Sequence, residues 1–262
     1  YTIDTGDQNV VIGRTAGYEA QDVDMSVLIG YEAGYGTGDG MTSDADGAVA
    51  VGARAGYDLL EGQYQTAVGY GALYKNKFAD YNTAIGYEAG YHATASYNTF
   101  LGSMAGRGSS SLATGDSNVA IGKQAMYSFQ SGGTNIAVGS GALYSLTTGT
   151  RNVAIGHTAG YYLTTGNPLG NVYVGNAAGY YNETGAGNVY LGYQSGQGAS
   201  GQSNAKNVGV GYQALTAITT GAGNQAIGGG AGQNMTTGQY NILIGADAGN
   251  QLTTMSDVIA IG

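Results

Sequence analysis

The chain has no cysteine and no tryptophan, one proline, and only eight Lys and Arg among 262 residues. Without cysteine there can be no disulfide and no thiolate metal site, which is compatible with an extracellular or a cytosolic address alike. The eight cations (Arg14, Arg54, Lys75, Lys77, Arg107, Lys123, Arg151 and Lys206) stand singly in a chain of net charge −9. No basic track for a phosphate backbone exists, and nucleic acid is not an expected partner. No apolar run approaches the ~20 residues that span a bilayer, and no charged start leads into an apolar core, so neither a membrane span nor a leader is read here. Charged residues make up 10% and apolar ones 42%, which does not fit a chain held open by its charge.

Groups for chemistry are equally scarce. The two histidines, His92 and His157, lack the second His or near carboxylates that a metal or catalytic centre requires. No G-x-S-x-G elbow stands in a strand-to-helix context. The expectation is a non-enzymatic protein with no cofactor and no metal.

What the chain has is glycine, 50 residues of it, in a fixed pattern. The stretch Asn152-Val153-Ala154-Ile155-Gly156 recurs fifteen times, closing on Gly13, Gly30, Gly52, Gly69, Gly86, Gly102, Gly122, Gly139, Gly156, Gly175, Gly192, Gly211, Gly228, Gly245 and Gly262. Nine of the fourteen intervals are 17 residues and the others are 16, 19, 20 or 22. A unit this short cannot close a core alone, so the period predicts an all-β parallel β-solenoid, or β-roll, of about 15 coils that stack on one another. The chain begins inside a repeat at Tyr1 and stops on a motif glycine. It is therefore expected to be one uncapped array over 1–262, a window of a longer array or a unit that stacks end to end.

The residue before each motif glycine is Ile, Val or Leu, and the residue two earlier is mostly Val, Ile or Thr, with Gln225 the exception. Period-2 spacing puts both on one face of a strand, and β-branched side chains suit that surface. They are expected to fill the coil interior. The residue between them, often Ala (Ala50, Ala67, Ala84, Ala120, Ala137, Ala154, Ala226, Ala260) with Phe100, Tyr173 and Tyr190 as larger intrusions, would then point outward. A strand apolar on both faces needs cover on both, and the outward alanine row predicts that the cover is another chain.

Three further columns follow from the repeat. The third residue after the glycine is Ala in thirteen of fourteen units and Ser195 in the other, a tight corner. The strand-opening position is Asn in eleven units: Asn9, Asn82, Asn98, Asn118, Asn135, Asn152, Asn171, Asn188, Asn207, Asn224 and Asn241. Stacked amides bond from coil to coil, so these predict a structural ladder; only Asn182 and Asn234 fit the glycosylation acceptor pattern. The connecting arc often reads Thr-Thr-Gly, as at Thr147-Thr148-Gly149, Thr164-Thr165-Gly166, Thr219-Thr220-Gly221 and Thr236-Thr237-Gly238, where glycine is expected to supply a positive φ.

Tyrosine is the most suggestive type. At the fifth place after the glycine it recurs as Tyr18, Tyr35, Tyr57, Tyr74, Tyr91, Tyr127, Tyr144, Tyr161 and Tyr180, then gives way to Gln197, Thr216, Gln233 and Asn250. This predicts an aromatic ladder along one edge, read either as a stiffening stack or as a ligand-binding track for a glycan. The paired acids Asp22/Asp24 and the run Asp44-Ala45-Asp46-Gly47, with Asp39 nearby, resemble the start of a calcium loop whose later ligands are missing, and a solvated turn is the reading adopted. Thirteen of the seventeen acidic residues lie at or before Glu88.

The run N-[VTI]-A-[IV]-G-x-x-A-[GL]-Y-x-x-T-T-G, clearest at Asn135 to Gly149 and Asn152 to Gly166, resembles the repeats of phage tail-fibre and tailspike shafts. It is also similar to the head repeats of trimeric autotransporter adhesins. The resemblance implies a homotrimer of left-handed rolls, extracellular, on a virion tail or a bacterial surface. Such a rod projects or forms a surface that binds a cell-surface glycan. The 17-residue period and the wealth of Tyr depart from the adhesin heads. A self-assembling extracellular filament that stacks head to tail is the alternative reading.

Overall fold

The computed structural model describes residues 6–18, 20–37, 41–42, 45–109, 112–165 and 170–262. They fall into two compact units, Tyr1–Gly132 and Gly133–Gly262. In the first, seven three-residue strands pair in parallel in chain order: β1 (Val10–Ile12), β2 (Val27–Ile29), β3 (Val49–Val51), β4 (Thr66–Val68), β5 (Thr83–Ile85), β6 (Thr99–Leu101) and β7 (Val119–Ile121). In the second, eight do the same: β8 (Ile136–Val138), β9 (Val153–Ile155), β10 (Val172–Val174), β11 (Val189–Leu191), β12 (Val208–Val210), β13 (Gln225–Ile227), β14 (Ile242–Ile244) and β15 (Ile259–Ile261). Each unit is thus a parallel β-solenoid with one strand per coil. Register survives the long intervals, since Leu28 still pairs with Ala50, Phe100 with Ala120 and Ala154 with Tyr173; insertions are absorbed in the arcs.

The facing of the strands is the reverse of the expectation. The middle residue is buried in thirteen of the fifteen strands, including Ala50, Ala67, Ala84, Phe100, Ala137, Tyr173 and Tyr190, and half-buried in the two end strands, while the flanking Val, Ile, Leu and Thr are half-buried or exposed. Alanine faces in and the β-branched rows face out. The interior is too narrow for two β-branched rows, because the arc already fills it with Leu59, Leu73, Phe129, Leu143, Leu146, Leu163, Leu215, Ile218 and Met235. A three-residue strand that is apolar on both faces carries no alternation from which its inner side could be read.

Volume is balanced within each coil between the strand centre and the residue six places on. Ala67, Ala120, Ala137 and Gly209 precede Leu73, Met126, Leu143 and Leu215, whereas Leu28, Phe100, Tyr173, Tyr190 and Leu243 precede Gly34, Gly106, Gly179, Gly196 and Gly249. A Cβ on Gly179 would stand 2.6 Å from the Tyr173 ring, so the bulky centre and the bare backbone require each other.

The motif glycine is fixed by two constraints. Its φ lies at 123–139° from Gly13 to Gly245, where L-residues are strained. A Cβ there would also strike the backbone of the glycine one coil on, for example 2.5 Å from the Gly52 carbonyl oxygen for Gly30. The Thr-Thr-Gly glycines work differently from the expectation. Gly221 and Gly238 have no positive φ; a Cβ on Gly221 would stand 2.6 Å from the Gly238 carbonyl oxygen, and one on Gly238 would overlap that of Met255. Close stacking, not chain reversal, selects glycine there; Gly166 lies outside the described residues.

Candidate functional site: ladders and the strand face

Asparagine forms the inner polar seam. Along the second unit each backbone N–H donates to the side-chain Oδ1 one coil earlier: Asn152 to Asn135 at 2.9 Å, Asn171 to Asn152 at 3.0 Å, Asn188 to Asn171 at 3.0 Å, and onward through Asn207, Asn224 and Asn241. Each Nδ2 also donates to an arc carbonyl, as Asn171 to Gly185 at 3.1 Å and Asn224 to Gly238 at 2.8 Å. In the first unit Asn98 and Asn118 repeat this geometry, and Asn9 accepts from the Ser26 N–H at 2.9 Å. The column is then interrupted by Ser26, Ala48 and Gln65. Among the described residues, the buried side-chain atoms without a partner lie around this break: Gln65 Oε1, both amide atoms of Asn76, and Asn82 Nδ2. Of the two acceptor-pattern asparagines, Asn182 is buried and donates to the Tyr173 hydroxyl at 2.7 Å, and Asn234 is exposed.

The predicted tyrosine column is stacked within each unit. Ring centroids step 5.0, 5.0, 4.7 and 4.7 Å from Tyr18 through Tyr35, Tyr57 and Tyr74 to Tyr91, and 4.8 and 5.4 Å from Tyr144 through Tyr161 to Tyr180. The coil between Tyr91 and Tyr127 carries Arg107 at this place. Its guanidinium lies 5.5 Å from the Tyr91 ring and 5.6 Å from the Tyr127 ring while Nε donates to Glu88 Oε2 at 2.7 Å, a cation–π replacement for the missing ring. Burial, with the neighbouring rings of Tyr91 and Tyr57 second, pushes the Tyr74 hydroxyl up to about 12. Inside the stack each ring face meets another ring, so the column offers phenolic edges outward and not flat faces.

Shorter tyrosine columns went unnoticed in the sequence. Tyr64, Tyr81 and Tyr97 stack at 5.3 and 5.4 Å, Tyr70 and Tyr87 at 5.6 Å, and Tyr193 and Tyr212 at 5.4 Å, all with exposed side chains. They stand at the fifth place before and the first place after the motif glycine, on either side of the strand. The signal was the repeat itself, read at two further positions. Tyr173 and Tyr190, expected outside, lie in the core 5.8 Å apart. The Tyr190 hydroxyl donates to Asn204 Oδ1 at 2.6 Å, and burial raises both hydroxyls above the ordinary range.

The acidic residues near the first arcs act on the backbone. Asp24 Oδ1 accepts from the Asp7 N–H at 2.6 Å and Asp46 Oδ1 from the Asp24 N–H at 2.7 Å; Asp39 and Asp44 lie outside the described residues. Among the described residues no three His, Cys, Asp or Glu converge as metal ligands, and no helix is long and apolar enough to cross a membrane.

The outward strand face is the largest unusual surface. Its thirty residues, two per strand, comprise 26 aliphatic side chains, Thr66, Thr83, Thr99 and Gln225, with no charge. Ile85, Leu101, Ile155, Ile227 and Ile244 are each 38–44% exposed. Half-exposed rows of 14 and 16 residues amount to on the order of 10³ Å² in each unit, above the ~300–600 Å² usual for the largest apolar patch of a monomer. The chain matches no protein-family model, no curated protein and no solved structure.

Proposed function

We propose that this chain is a structural and adhesive fibre segment whose copies associate side by side through the outward strand face. The observation that carries the reading is that face: uncharged, and half-buried or exposed along every strand. Its extent in either unit is close to the ~800 Å² per partner of a stable interface. The outward alanine row no longer supports association, since alanine faces in; the β-branched rows that replace it support association more strongly. Parallel coils, corners so close that a Cβ on the motif glycine would stand under 3 Å from the next coil's backbone, and a buried amide seam suit a stiff support, and the role proposed is carriage and contact, not catalysis.

From the resemblance to tail-fibre shafts and adhesin heads come the finer parts of the proposal: three left-handed rolls around a common axis, outside the cell, on a virion tail or a bacterial surface. In that arrangement the arcs and the phenolic edges of the Tyr18–Tyr91 and Tyr144–Tyr180 columns remain outermost, where a cell-surface glycan would meet them.

Light scattering after size exclusion, across a dilution series, tests the reading. The wild type should hold the mass of three chains, and Ile155→Glu combined with Ile227→Glu should reduce it to one chain with the β-structure intact. A wild type that is monomeric at every concentration would sink the proposal. Mass growing without limit would replace it with head-to-tail polymerisation.

A further inference from the structure

The outward face is almost uniform, and uniformity creates a problem for any assembly built on it. Two copies of the second unit can slide by one coil, about 4.8 Å, and still keep seven of eight coils in contact. Aliphatic contact alone discriminates weakly between such registers. The same holds for reversing one copy, because a row of Val and Ile reads alike in both directions.

The polar exceptions break this degeneracy. In the second unit the first strand position reads Ile136, Val153, Val172, Val189, Val208, Gln225, Ile242, Ile259. Gln225 is exposed and stands between Val208 and Ile242 in the column. In the first unit the same column reads Val10, Val27, Val49, Thr66, Thr83, Thr99, Val119. Only the Thr coils carry Tyr64, Tyr81 and Tyr97 two residues before the strand position. The polar residues are thus single or clustered, and reversing one copy mismatches most of them: Thr66, fourth of seven, would meet itself, but Thr83 and Thr99 would fall against Val49 and Val27. Gln225 lies in the sixth of eight coils; full-length antiparallel pairing would set it against Val172.

We infer that Gln225, with the Thr66–Thr83–Thr99 row, is a register device of the assembly, pairing with the same residues of a second copy of this chain so that the copies run parallel and in step. In register, a Gln225 amide can donate to and accept from its counterpart. One coil out of step, each Gln225 is pressed on Val208 or Ile242 of the neighbour, its amide desolvated and unpaired. A single polar residue in an apolar seam gives up stability to fix alignment, as a lone buried Asn does in coiled coils. The inference rests on the assembly reading above.

Because the chain has no cysteine, register can be read by disulfide trapping. Copies carrying Ile155→Cys and copies carrying Val174→Cys, outward positions paired across adjacent coils, are tagged differently, mixed, unfolded, refolded together and oxidised by a mild copper catalyst. In-step assembly gives 155–155 and 174–174 links; 155–174 links report a slip of one coil. The expected result is at least tenfold more in-step than slipped product in the wild-type background. In Gln225→Val with Thr66, Thr83 and Thr99 also changed to Val, slipped product should become comparable, with assembly mass unchanged. Equal amounts of both products in the wild type, or an unchanged ratio in the variant, overturns the register role and leaves the assembly reading standing. Absence of any link, together with a one-chain mass, overturns both.

Discussion

Asn171→Ala isolates what the buried amide seam contributes. The side chain donates from Nδ2 to Asn152 Oδ1 and to the Gly185 carbonyl, both at 3.1 Å, and its Oδ1 accepts the Asn188 N–H at 3.0 Å and the Asn188 Nδ2 at 3.2 Å. Truncation removes four contacts from a site with 1% exposure. Asn152 Oδ1 keeps the Asn171 N–H at 3.0 Å, Asn188 Nδ2 keeps the Asn204 carbonyl at 2.8 Å, and the Gly185 carbonyl keeps a long contact to Asn182 Nδ2 at 3.4 Å. The group left with nothing is the Asn188 N–H. One buried orphan donor at ~1–3 kcal/mol, plus a net loss of ~0.5–1.5 kcal/mol for each of the three bonds whose partners are otherwise satisfied, gives a cost of about 2.5–7.5 kcal/mol. Urea unfolding measures the total, and hydrogen exchange at the Asn188 amide measures the local opening that a stack of nearest-neighbour units permits. Asn234→Ala, exposed and with one contact to the Asn250 carbonyl at 2.8 Å, is the control and should cost less than about 1 kcal/mol. If Asn171→Ala costs no more than the control, with unchanged exchange at Asn188, the amide seam is not what holds the coils together.

The motif glycine offers a second test: Gly156→Ala places its methyl against the Gly175 backbone and should cost several kcal/mol or abolish folding, whereas Gly201→Ala, at φ 74° with nothing within 4 Å, should cost only the ~1–2 kcal/mol of a left-handed residue, both read by thermal unfolding. Asn76→Leu should stabilise the first unit by ~1–3 kcal/mol, because it replaces two partnerless amide atoms at the arc position where other coils carry Leu59, Leu146 or Leu163; a lower denaturation midpoint would refute that. Tyr173 and Tyr190 have folded-state values above the ordinary 10.0, so their contribution is complete below pH 10 and is lost as pH rises beyond it, by about 1.4 kcal/mol per group per pH unit. Tyr173→Phe and Tyr190→Phe should flatten this alkaline slope, and in the wild type the last tyrosinate absorbance should appear only with unfolding.

The period, the strand positions and the asparagine column were legible because each depends on residue type at a fixed spacing. Which side of the strand faces in was not. Val153-Ala154-Ile155 is apolar at all three places, so parity had to be inferred from size, and the larger residues were given the core. The structure gives the core to residues of the arc, Leu146 and Leu163 among them, and leaves the strand to contribute a methyl. Arg107 was hidden for another reason: a search for tyrosine treats any other residue as a gap, while a guanidinium can bridge two rings. The outward place given to Tyr173 and Tyr190 followed from the same parity, and the hydroxyl partners that make their burial tolerable, Asn182 and Asn204, lie nine and fourteen residues away in the arc.

One sequence feature would have fixed the parity, and it lies inside single coils. If the strand centre faced outward, its size would be independent of the residue six places later. Yet every bulky centre, Leu28, Phe100, Tyr173, Tyr190 and Leu243, is followed by glycine, and every bulky residue at the later place, Leu73, Met126, Leu143 and Leu215, is preceded by Ala or Gly. Such mutual exclusion of volume requires that the two side chains share one space. The later residue is buried in all four cases, so the centre must be as well. Gly209 extends the rule between coils, since a Cβ there would stand 2.8 Å from Ser195 Oγ and 3.0 Å from the Tyr190 ring. The bare strand centre of β12 leaves room for the ring of Tyr190 and for Ser195, the one serine in the alanine corner, whose Oγ donates to the Gly209 carbonyl at 2.8 Å. With the centres thereby assigned to the interior, the β-branched rows can only face out, and the uncharged face on which assembly and register are proposed follows from the arrangement of volumes within the repeat.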